Sequence, residues 1–256
     1  MNRRSWLVGV AASALGAFTA GCEKVSTAAP ALRMLSVAEK WSKGAQRSLI
    51  GRHALAREFS EADISPDFRA NGTLRPQDAD YVALQAGGFA DWRLVVDGLV
   101  ATPLSLSLAD LRALPARTQI TRHDCVEGWS SIGKWTGPQL WGLLQKAGLK
   151  PEAKFIVFHC MDSLGASDPD EKRRKYYESI DRIDAQHPQT ILAYDMNGAP
   201  LAVPHGAPLR LRVERQLGYK QAKYIQRIEA VASLDAIGGG GGGFWPDRGY
   251  EWYAGI

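Results

Sequence analysis

The stretch "TILAYDMNGAPLAVPHGAPLRLRVER" (residues 190–215) decides the fold, because it joins a tight turn to a strictly alternating segment. Asn197-Gly198 separates two mainly apolar runs, and Asn-Gly at such a place predicts the two-residue turn of a β-hairpin. The last part alternates apolar with charged residues, namely Leu209, Arg210, Leu211, Arg212, Val213 and Glu214. A period of two is typical of a strand, and the charged face taken alone is that of a solvated strand. The stretch therefore predicts antiparallel sheet.

Further strands are predicted on both sides of this stretch. They are "WRLVVDGLV" (92–100), "KFIVFHC" (154–160) and "KYIQRIEAVAS" (223–233), which are rich in β-branched and aromatic residues. The second is almost entirely apolar, which favours a buried strand. Strands outnumber helices and no regular βαβ rhythm is present, so the predicted class is α+β with a mixed or antiparallel sheet.

Two helices are predicted from their start signals. "SLADLRAL" (107–114) begins with Ser107 and has Asp110 three residues later, which is a capping-box pattern. "TGPQLWGLLQKAG" (136–148) offers Thr136 as N-cap and Gly148 at its end. Its apolar face would consist of Leu140, Leu143, Leu144 and Ala147.

The N-terminus has the features of an export signal. "MNRRSWLVGVAASALGAFTAGC" (1–22) begins with Arg3 and Arg4 and continues with a short apolar run. The two adjacent arginines resemble a twin-arginine signal, and Ala20-Gly21-Cys22 resembles a lipoprotein cleavage site. We expect a periplasmic protein with a lipid anchor at Cys22; the alternative is a plain signal peptide with a chance cysteine.

The composition of the chain limits the classes of partner that can be expected. The chain has 256 residues, a formal net charge of +4 and 45% hydrophobic residues, which is ordinary for a globular protein. The sequence has no block of like charges, no zinc-finger spacing and no basic helix, so nucleic acid is not an expected partner. After export, Cys125 and Cys160 would lie in an oxidising compartment, where a disulfide between them is the simpler alternative to a metal-bound thiolate.

The surroundings of Cys125 favour the thiolate. It lies in "TRHDCVEGWSSIGKWTG" (121–137), where Arg122 and a protonated His123 would lower a thiol pKa. No second or third metal ligand follows at zinc-site spacing, and none of the five histidines is singled out as a base for a cysteine hydrolase. The pattern fits one soft ligand on a metal whose other ligands come from a cofactor.

Four segments of the chain carry a family resemblance. They are "CVEGWS", "WTGPQLWGLL", "LAYDMNGAPLAVPHGAPLRLRV" and "LGYKQAKYIQRI", which together resemble the molybdopterin-binding domain of the sulfite oxidase family. They are most similar to its bacterial branch, which includes the periplasmic molybdenum subunit that repairs methionine sulfoxide. The resemblance implies a mixed α+β domain around a molybdenum-molybdopterin cofactor, with one protein cysteine on the metal.

The resemblance also implies site residues. Cys125 matches the metal-bound, catalytic cysteine, and Tyr176 matches a tyrosine near the metal, with Tyr177 as a near alternative. The positions matched to cofactor contacts are Asn71, Cys160, His205, Arg210, Gln221, Ala222 and Lys223. A phosphate needs cations, and Arg210, Arg212, Lys220 and Lys223 are expected to cluster for this purpose.

The implied domain organisation has four parts. They are a signal peptide (1–22), a linker and N-terminal extension (23–64), the molybdopterin-binding oxidoreductase domain (65–235) and a Gly-rich segment with an aromatic tail (236–256). We expect the glycine run to be flexible and the aromatic residues after it to dock on the domain.

The resemblance and its departures set the functional expectation. Eukaryotic relatives hold sulfite with an arginine-rich stretch after the metal cysteine, whereas this chain has "VEGWSS" there. We therefore expect oxygen-atom transfer on a small S- or N-oxide, with Tyr176 donating a hydrogen bond or a proton to the transferred oxygen and a separate protein transferring electrons. The alternatives are a sulfite-type oxidase, a non-catalytic binding lipoprotein and a disulfide-linked structural protein.

Overall fold

The computed structural model describes residues 37, 41–47, 51, 53–164 and 175–256. The chain divides into two compact units, Met1–Gly51 and Arg52–Ile256. In the first unit, residues 41–47 are helical, and the predicted signal and Cys22 lie outside the described residues. None of the helices in the described residues has both the length and the apolar character needed to cross a membrane.

The second unit contains the elements that position the site. Its helices are α1 (Ala79–Ala86), α2 (Leu108–Arg112), α3 (Leu140–Lys146) and α4 (Arg182–Ala185). Its strands are β1 (Leu94–Gly98), β2 (Leu104–Leu106), β3 (Ala116–Asp124), β4 (Ser130–Pro138), β5 (Phe155–Ser163), β6 (Lys175–Asp181), β7 (Ile191–Ala193), β8 (Asp195–Met196), β9 (Ala199–Pro200), β10 (Arg210–Arg212) and β11 (Ile225–Val231).

The strands form three sheets. Five of them pair in the order β2-β1-β11-β5-β6, four in the order β3-β4-β8-β9, and β10 pairs with β7. The β1–β11 pair is parallel and the other named pairs are antiparallel. The predicted α+β class with a mixed sheet is therefore confirmed.

The hairpin of β8 and β9 turns where the sequence indicated. Met196 pairs with Ala199, and the two residues between them have positive φ angles, 51° at Asn197 and 81° at Gly198. These angles suit the mirror-image turn that Asn-Gly favours, because glycine and asparagine tolerate the left-handed region. The capping box of Ser107 and Asp110 is also formed, at the start of α2.

The start of α3 differs from the prediction. Thr136 and Pro138 belong to β4 instead, and Gln139 is the N-cap of a helix that begins at Leu140. The Thr136 hydroxyl is 2.9 Å from the hydroxyl of Thr118 across the β3–β4 ladder, so it is engaged in the sheet and not at a helix end. The helix end and the buried face of four apolar residues are as predicted.

The alternating 209–214 segment is buried on both faces. Its leucines and valine enter the main hydrophobic core, and Arg210, Arg212 and Glu214 are buried as well. The solvated charged face is therefore absent: both guanidinium groups lie against the ring of Trp135, at 4.8 Å and 4.4 Å from its centroid. Buried arginines of this kind demand partners of their own.

The C-terminal aromatic residues dock on the domain as predicted, and Phe244 is buried in the main core. The glycine run is not a free spacer, because Asp247 accepts hydrogen bonds from the backbone N–H groups of Gly239 (2.8 Å) and Gly241 (2.7 Å). A Cβ on Gly238 or Gly243 would collide with Tyr177 or Glu178. These glycines permit close approach to β6.

Candidate functional site

The second unit contains an open cleft with an empty volume of about 750 Å³, which includes the solvent at its mouth. The residues that line it are Asn71, Gly72, Thr73, Cys125, Val126, Glu127, Asp162, Leu164, Tyr176, Gly218, Tyr219, Gln221, Lys223, Trp245 and Tyr250. They come from the segment before α1, the β3–β4 turn, the ends of β5 and β6, the segment before β11 and the C-terminal tail. Chain segments far apart in sequence thus meet around one volume.

Cys125 lies at the tip of the long β3–β4 hairpin. β3 and β4 pair over their full length, and between them the N–H of Cys125 donates to the carbonyl of Trp129 (2.9 Å). The N–H of Gly128, whose φ is 84°, donates back to the carbonyl of Cys125 (3.0 Å). This tight turn holds the thiol at the edge of the cleft.

The electrostatic surroundings of Cys125 differ from the prediction. Burial raises the pKa of its thiol, and the carboxylate of Glu127 raises it further. Arg122 is paired with Asp124 (2.8 Å), and burial lowers the pKa of His123 well below its usual range, so neither supplies the expected positive charge to the thiol. A bound metal cation would supply that charge directly, because a coordinating thiol is deprotonated by its metal.

Of the two tyrosines considered, Tyr176 is the one that lines the cleft. Its hydroxyl donates to the carbonyl oxygen of Tyr219, and its ring stacks on Phe244 with centroids 5.5 Å apart. Burial, reinforced by the charge of Glu178, raises the Tyr176 pKa well above its usual value. The hydroxyl of Tyr177 donates to Asp247 instead (2.5 Å).

The expected cluster of four cations divides into two groups. Arg212 is paired with Glu214 (2.5 Å) and Lys220 with Glu178, and all four side chains are buried. These two cations are neutralised within the protein. Arg210 and Lys223 have no such carboxylate contact among the ion pairs of the described residues.

Arg210 carries an unsatisfied buried charge. One guanidinium nitrogen donates to the carbonyl of His205 (3.0 Å), but Nε and Nη2 are buried with no hydrogen-bond partner among the described residues. Burial, together with the charge of Arg212, lowers the Arg210 pKa to about 9. The imidazole Nδ1 of His205 is likewise buried without a partner, and burial lowers the pKa of His205 to about 4.

Lys223 is the second cation without a carboxylate contact among the ion pairs of the described residues. Its ammonium donates to the carbonyl oxygens of Asn71 (2.6 Å), Thr73 (2.5 Å) and Pro204 (2.9 Å). Burial and the charge of Arg210 lower the pKa of Lys223 to about 7. The two cations thus repel each other, and a phosphate near them would supply the missing counter-charge and acceptors.

The other proposed cofactor contacts are distributed unevenly. Asn71 and Gln221 line the cleft, whereas Ala222 is fully buried and its carbonyl accepts from the N–H of Leu211 (2.8 Å). Cys160 lies opposite Ile225 in the ladder of β5 and β11 and is buried. Cys125 and Cys160 are both free thiols, which contradicts the disulfide alternative.

Several lining residues escaped the sequence analysis. Asp162 is buried with one unpartnered carboxylate oxygen, and burial raises its pKa to about 6. An acidic residue at the end of a nearly apolar strand was the signal available for it. Tyr219, Trp245 and Tyr250 gave none, because aromatic residues in loops are as often packed against the core.

The described residues contain no group of three or more His, Cys, Asp and Glu side chains that could hold a metal ion. A metal on Cys125 would therefore need ligands from a cofactor, as the lone thiolate suggested. The unsatisfied nitrogens of Arg210 and His205 fit the phosphate end of such a cofactor.

Comparisons with known proteins give the family. A family model described as the oxidoreductase molybdopterin binding domain matches residues 82–235. A protein-methionine-sulfoxide reductase subunit, YedZ1, of Azospira oryzae is 41% identical over 65% of this chain and 56% of its own. The catalytic subunit MsrP of protein-methionine-sulfoxide reductase from Campylobacter jejuni is 35% identical over 54% of this chain and 48% of its own.

A solved structure is similar as well. The sulfane dehydrogenase SoxCD from Paracoccus pantotrophus matches with a TM-score of 0.50 and 25% identity, over 57% of this chain and 40% of that one. The chain spans about half the length of the curated relatives it matches. Because the family model covers more than half of the 256 residues, the chain belongs to the family of oxidoreductase molybdopterin-binding domains.

Proposed function

We propose that this chain is a periplasmic, molybdenum-cofactor-dependent oxidoreductase that removes an oxygen atom from an S- or N-oxide. The observation that carries the proposal is a free thiol, Cys125, in a cleft that also contains Lys223, with the unsatisfied Arg210 near enough for its charge to lower the Lys223 pKa. The thiol suits the metal, and the two cations suit the phosphate of the pterin.

When bound, the molybdenum cofactor supplies a two-electron redox centre for oxygen-atom transfer. The Cys125 sulfur would bind the metal. Arg210, His205 and Lys223 would hold the phosphate end, and Asn71 and Gln221 would border the cofactor from the cleft wall. Ala222 and Cys160, which are buried and are not among the described lining residues, would support the cofactor site through the residues packed on them.

Tyr176 and Asp162 are two lining residues that could donate a proton to the substrate. The Tyr176 hydroxyl already donates its proton to the Tyr219 carbonyl, so that proton must leave this bond before Tyr176 could donate to substrate. Asp162 faces the same cleft with a carboxylate whose pKa is raised to about 6 by burial. A carboxyl with this pKa can hold or release a proton near neutral pH.

The charges of the cleft disfavour sulfite. Its described lining contains the carboxylates Glu127 and Asp162, and its one cation, Lys223, is assigned in this proposal to the phosphate of the cofactor. An anionic substrate would meet Coulomb repulsion from the two carboxylates, whereas an uncharged oxide would not. The names of the curated relatives, which refer to methionine sulfoxide, favour a sulfoxide.

Location and partners are part of the proposal. The support for the periplasm, for export by the twin-arginine route and for a lipid anchor at Cys22 is the sequence of residues 1–22. Molybdenum cofactor is inserted in the cytoplasm, so a route that exports folded proteins suits a loaded enzyme. A separate electron-transfer protein would deliver the reducing equivalents.

The test compares wild type with Cys125→Ser and Cys160→Ser, produced in a host that makes molybdenum cofactor. We expect molybdenum in wild type and Cys160→Ser, and its loss from Cys125→Ser. Wild type should also oxidise a reduced viologen dye when given a sulfoxide or an N-oxide. Equal molybdenum in all three proteins would refute the ligand role of Cys125, and a molybdenum-replete wild type without turnover would favour a binding protein.

A further inference from the structure

The C-terminal tail, residues 236–256, lies beyond the part of the chain matched by the family model. It is nevertheless fixed to the domain at both ends. The N–H of Phe244 donates to the carbonyl of Tyr177 (2.9 Å), and the N–H of Leu217 donates to the carbonyl of Ala254 (2.9 Å). Between these points, the hydroxyl of Tyr219 donates to the carbonyl of Glu251 (2.6 Å).

Three rings around the cleft form what we call the aromatic wall, defined as Tyr219, Trp245 and Tyr250. The rings of Trp245 and Tyr250 have centroids 5.1 Å apart, and those of Tyr219 and Tyr250 are 5.4 Å apart. Trp245 is also packed edge-on against Phe244, which stacks on Tyr176. The tail thus contributes two rings of the wall and connects them to the residue expected next to the metal.

Hydrogen bonds within the tail and to Tyr177 hold the aromatic wall in place. Asp247, in the turn between Trp245 and Tyr250, accepts from the hydroxyl of Tyr177 (2.5 Å) and from two glycine N–H groups. The N–H of Tyr250 donates to the carbonyl of Trp245 (3.1 Å), which joins the two residues directly. A wall fixed by this many bonds cannot retreat without losing them, so it limits the width of the cleft.

The chemistry of the lining favours a particular kind of ligand. Aromatic faces are negative, and the described lining adds the carboxylates of Glu127 and Asp162. Methyl groups on the positively polarised sulfur or nitrogen of an oxide are attracted to such faces, as are methylated cations. Anionic substrates are not attracted to these faces.

We propose that Trp245 and Tyr250 determine the substrate specificity of this cleft, and that they select a small, uncharged, methylated sulfoxide or amine N-oxide over a methionine sulfoxide within a polypeptide. The proposal rests on the function proposed above. The rings hold the methyl groups, and the fixed tail obstructs the chain segments that would flank a methionine sulfoxide in a peptide.

The test uses molybdenum-loaded enzyme, a reduced viologen dye, and three substrates: dimethyl sulfoxide, trimethylamine N-oxide and a peptide that contains methionine sulfoxide. Trp245→Ala and Tyr250→Ala should each raise the KM for the two small oxides about fivefold or more, because each removes one aromatic contact, with little change in kcat. The same variants should lower the KM for the peptide. Trp245→Phe and Tyr250→Phe should give KM values between those of wild type and the alanine variants.

Trp41→Ala is the matched control, since Trp41 is exposed, lies in the first unit and is not part of the cleft lining. Molybdenum content and thermal midpoint are measured for each protein. If an alanine variant loses molybdenum, Trp245→Leu and Tyr250→Leu replace it, because leucine keeps an apolar side chain without a ring.

The outcomes separate this inference from the proposed function. Unchanged KM values in loaded wall variants, or a wild type that prefers the peptide, would overturn the inference while the oxidoreductase function stands. A loaded wild type that reduces none of the three oxides would overturn both.

Discussion

At the scale of single residues, Arg210 and Arg212 show how one strand can carry two arginines with different purposes. Both are buried against Trp135 on the same face of β10. Arg212 has a carboxylate partner in Glu214, whereas two nitrogens of Arg210 have no partner among the described residues. Arg212 is satisfied within the fold, whereas Arg210 keeps two buried donors that the proposed phosphate would satisfy.

This difference predicts opposite effects of the same substitution. Arg210→Met should change the free energy of unfolding of the cofactor-free protein by less than about 1 kcal/mol, or raise it, because it removes an unpaired buried charge. It should nevertheless sharply reduce the pterin retained after purification, measured by fluorescence of the released pterin.

Arg212→Met is the matched variant. It leaves the Glu214 carboxylate buried with only the amide of Gln119 (2.8 Å) as a described donor, so we expect a loss of about 3–5 kcal/mol. Equal destabilisation by both substitutions, measured by denaturant unfolding, would contradict the assignment of Arg210 to a ligand.

Asp162 gives a prediction about pH. Burial raises its pKa from 3.8 to about 6 in the folded protein, so folding favours the protonated form. The resulting stability is fully present below the unfolded pKa and is lost as the pH rises through about 6. Relative to Asp162→Asn, the cofactor-free wild type should therefore lose up to about 3 kcal/mol between about pH 4 and pH 7.5.

The measurement is denaturant unfolding of both proteins across this range of pH. A difference between them that stays constant with pH would show that Asp162 keeps an ordinary pKa. If wild type instead loses stability relative to Asp162→Asn as the pH falls, the fold stabilises the ionised carboxylate and the pKa of Asp162 is lowered.

At the scale of residues, the candidate site came mainly from the family resemblance and not from residue type alone. Five of the predicted residues line the cleft, namely Cys125, Tyr176, Asn71, Gln221 and Lys223, whereas Cys160, His205, Arg210 and Ala222 are not among its described lining residues. The charges around them could not be foreseen, because pairing depends on distant segments: Lys220 is neutralised by Glu178, which is 42 positions away.

At the scale of elements, the β3–β4 hairpin positions Cys125, and β4 in turn packs closely on β7. A Cβ on Gly137 would collide with the backbone carbonyl of Leu192. The hairpin therefore depends on a glycine at this crossing.

Gly137→Ala should lower the free energy of unfolding by about 3 kcal/mol, because the backbone of β7 must shift to make room for the methyl group. Gly142→Ala is the control: Gly142 lies inside α3, and beyond its chain neighbours and the backbone of the helix itself no atom lies within 4 Å of the place that an alanine methyl group would take. Alanine should therefore stabilise the protein by about 0.5–1 kcal/mol. Similar effects of the two substitutions in denaturant unfolding would argue against the close approach.

The elements themselves were largely predictable, since hydrophobic periodicity and turn residues are local signals. The exception is the start of α3, where "TGP" looked like a helix cap but continues β4 to Pro138. Tertiary pairing outweighed the local signal there, because the ladder with β3 engages the residues that would have formed the cap.

At the scale of the whole molecule, the fold is held together without a disulfide between Cys125 and Cys160. A reductant should therefore leave the thermal midpoint of the cofactor-free protein unchanged. A native disulfide would contribute about 2–5 kcal/mol, and its reduction would lower the midpoint by several degrees. Thermal unfolding with and without reductant, at a pH where thiols exchange slowly, distinguishes the two cases.

The global arrangement was the least predictable part. The order β2-β1-β11-β5-β6 brings together strands from opposite ends of the domain, and the tail returns to the cleft after the family match has ended. Such contacts depend on long-range geometry, for which a single sequence offers no periodic signal.

The place of β11 has a consequence for biogenesis. It is the last strand of the domain to leave the ribosome, yet it lies in the middle of its sheet, and Lys223 comes just before it. Until β11 inserts between β1 and β5, the nascent chain cannot complete the phosphate site proposed here. We therefore expect cofactor capture to be a post-translational event that reports a fully synthesised domain.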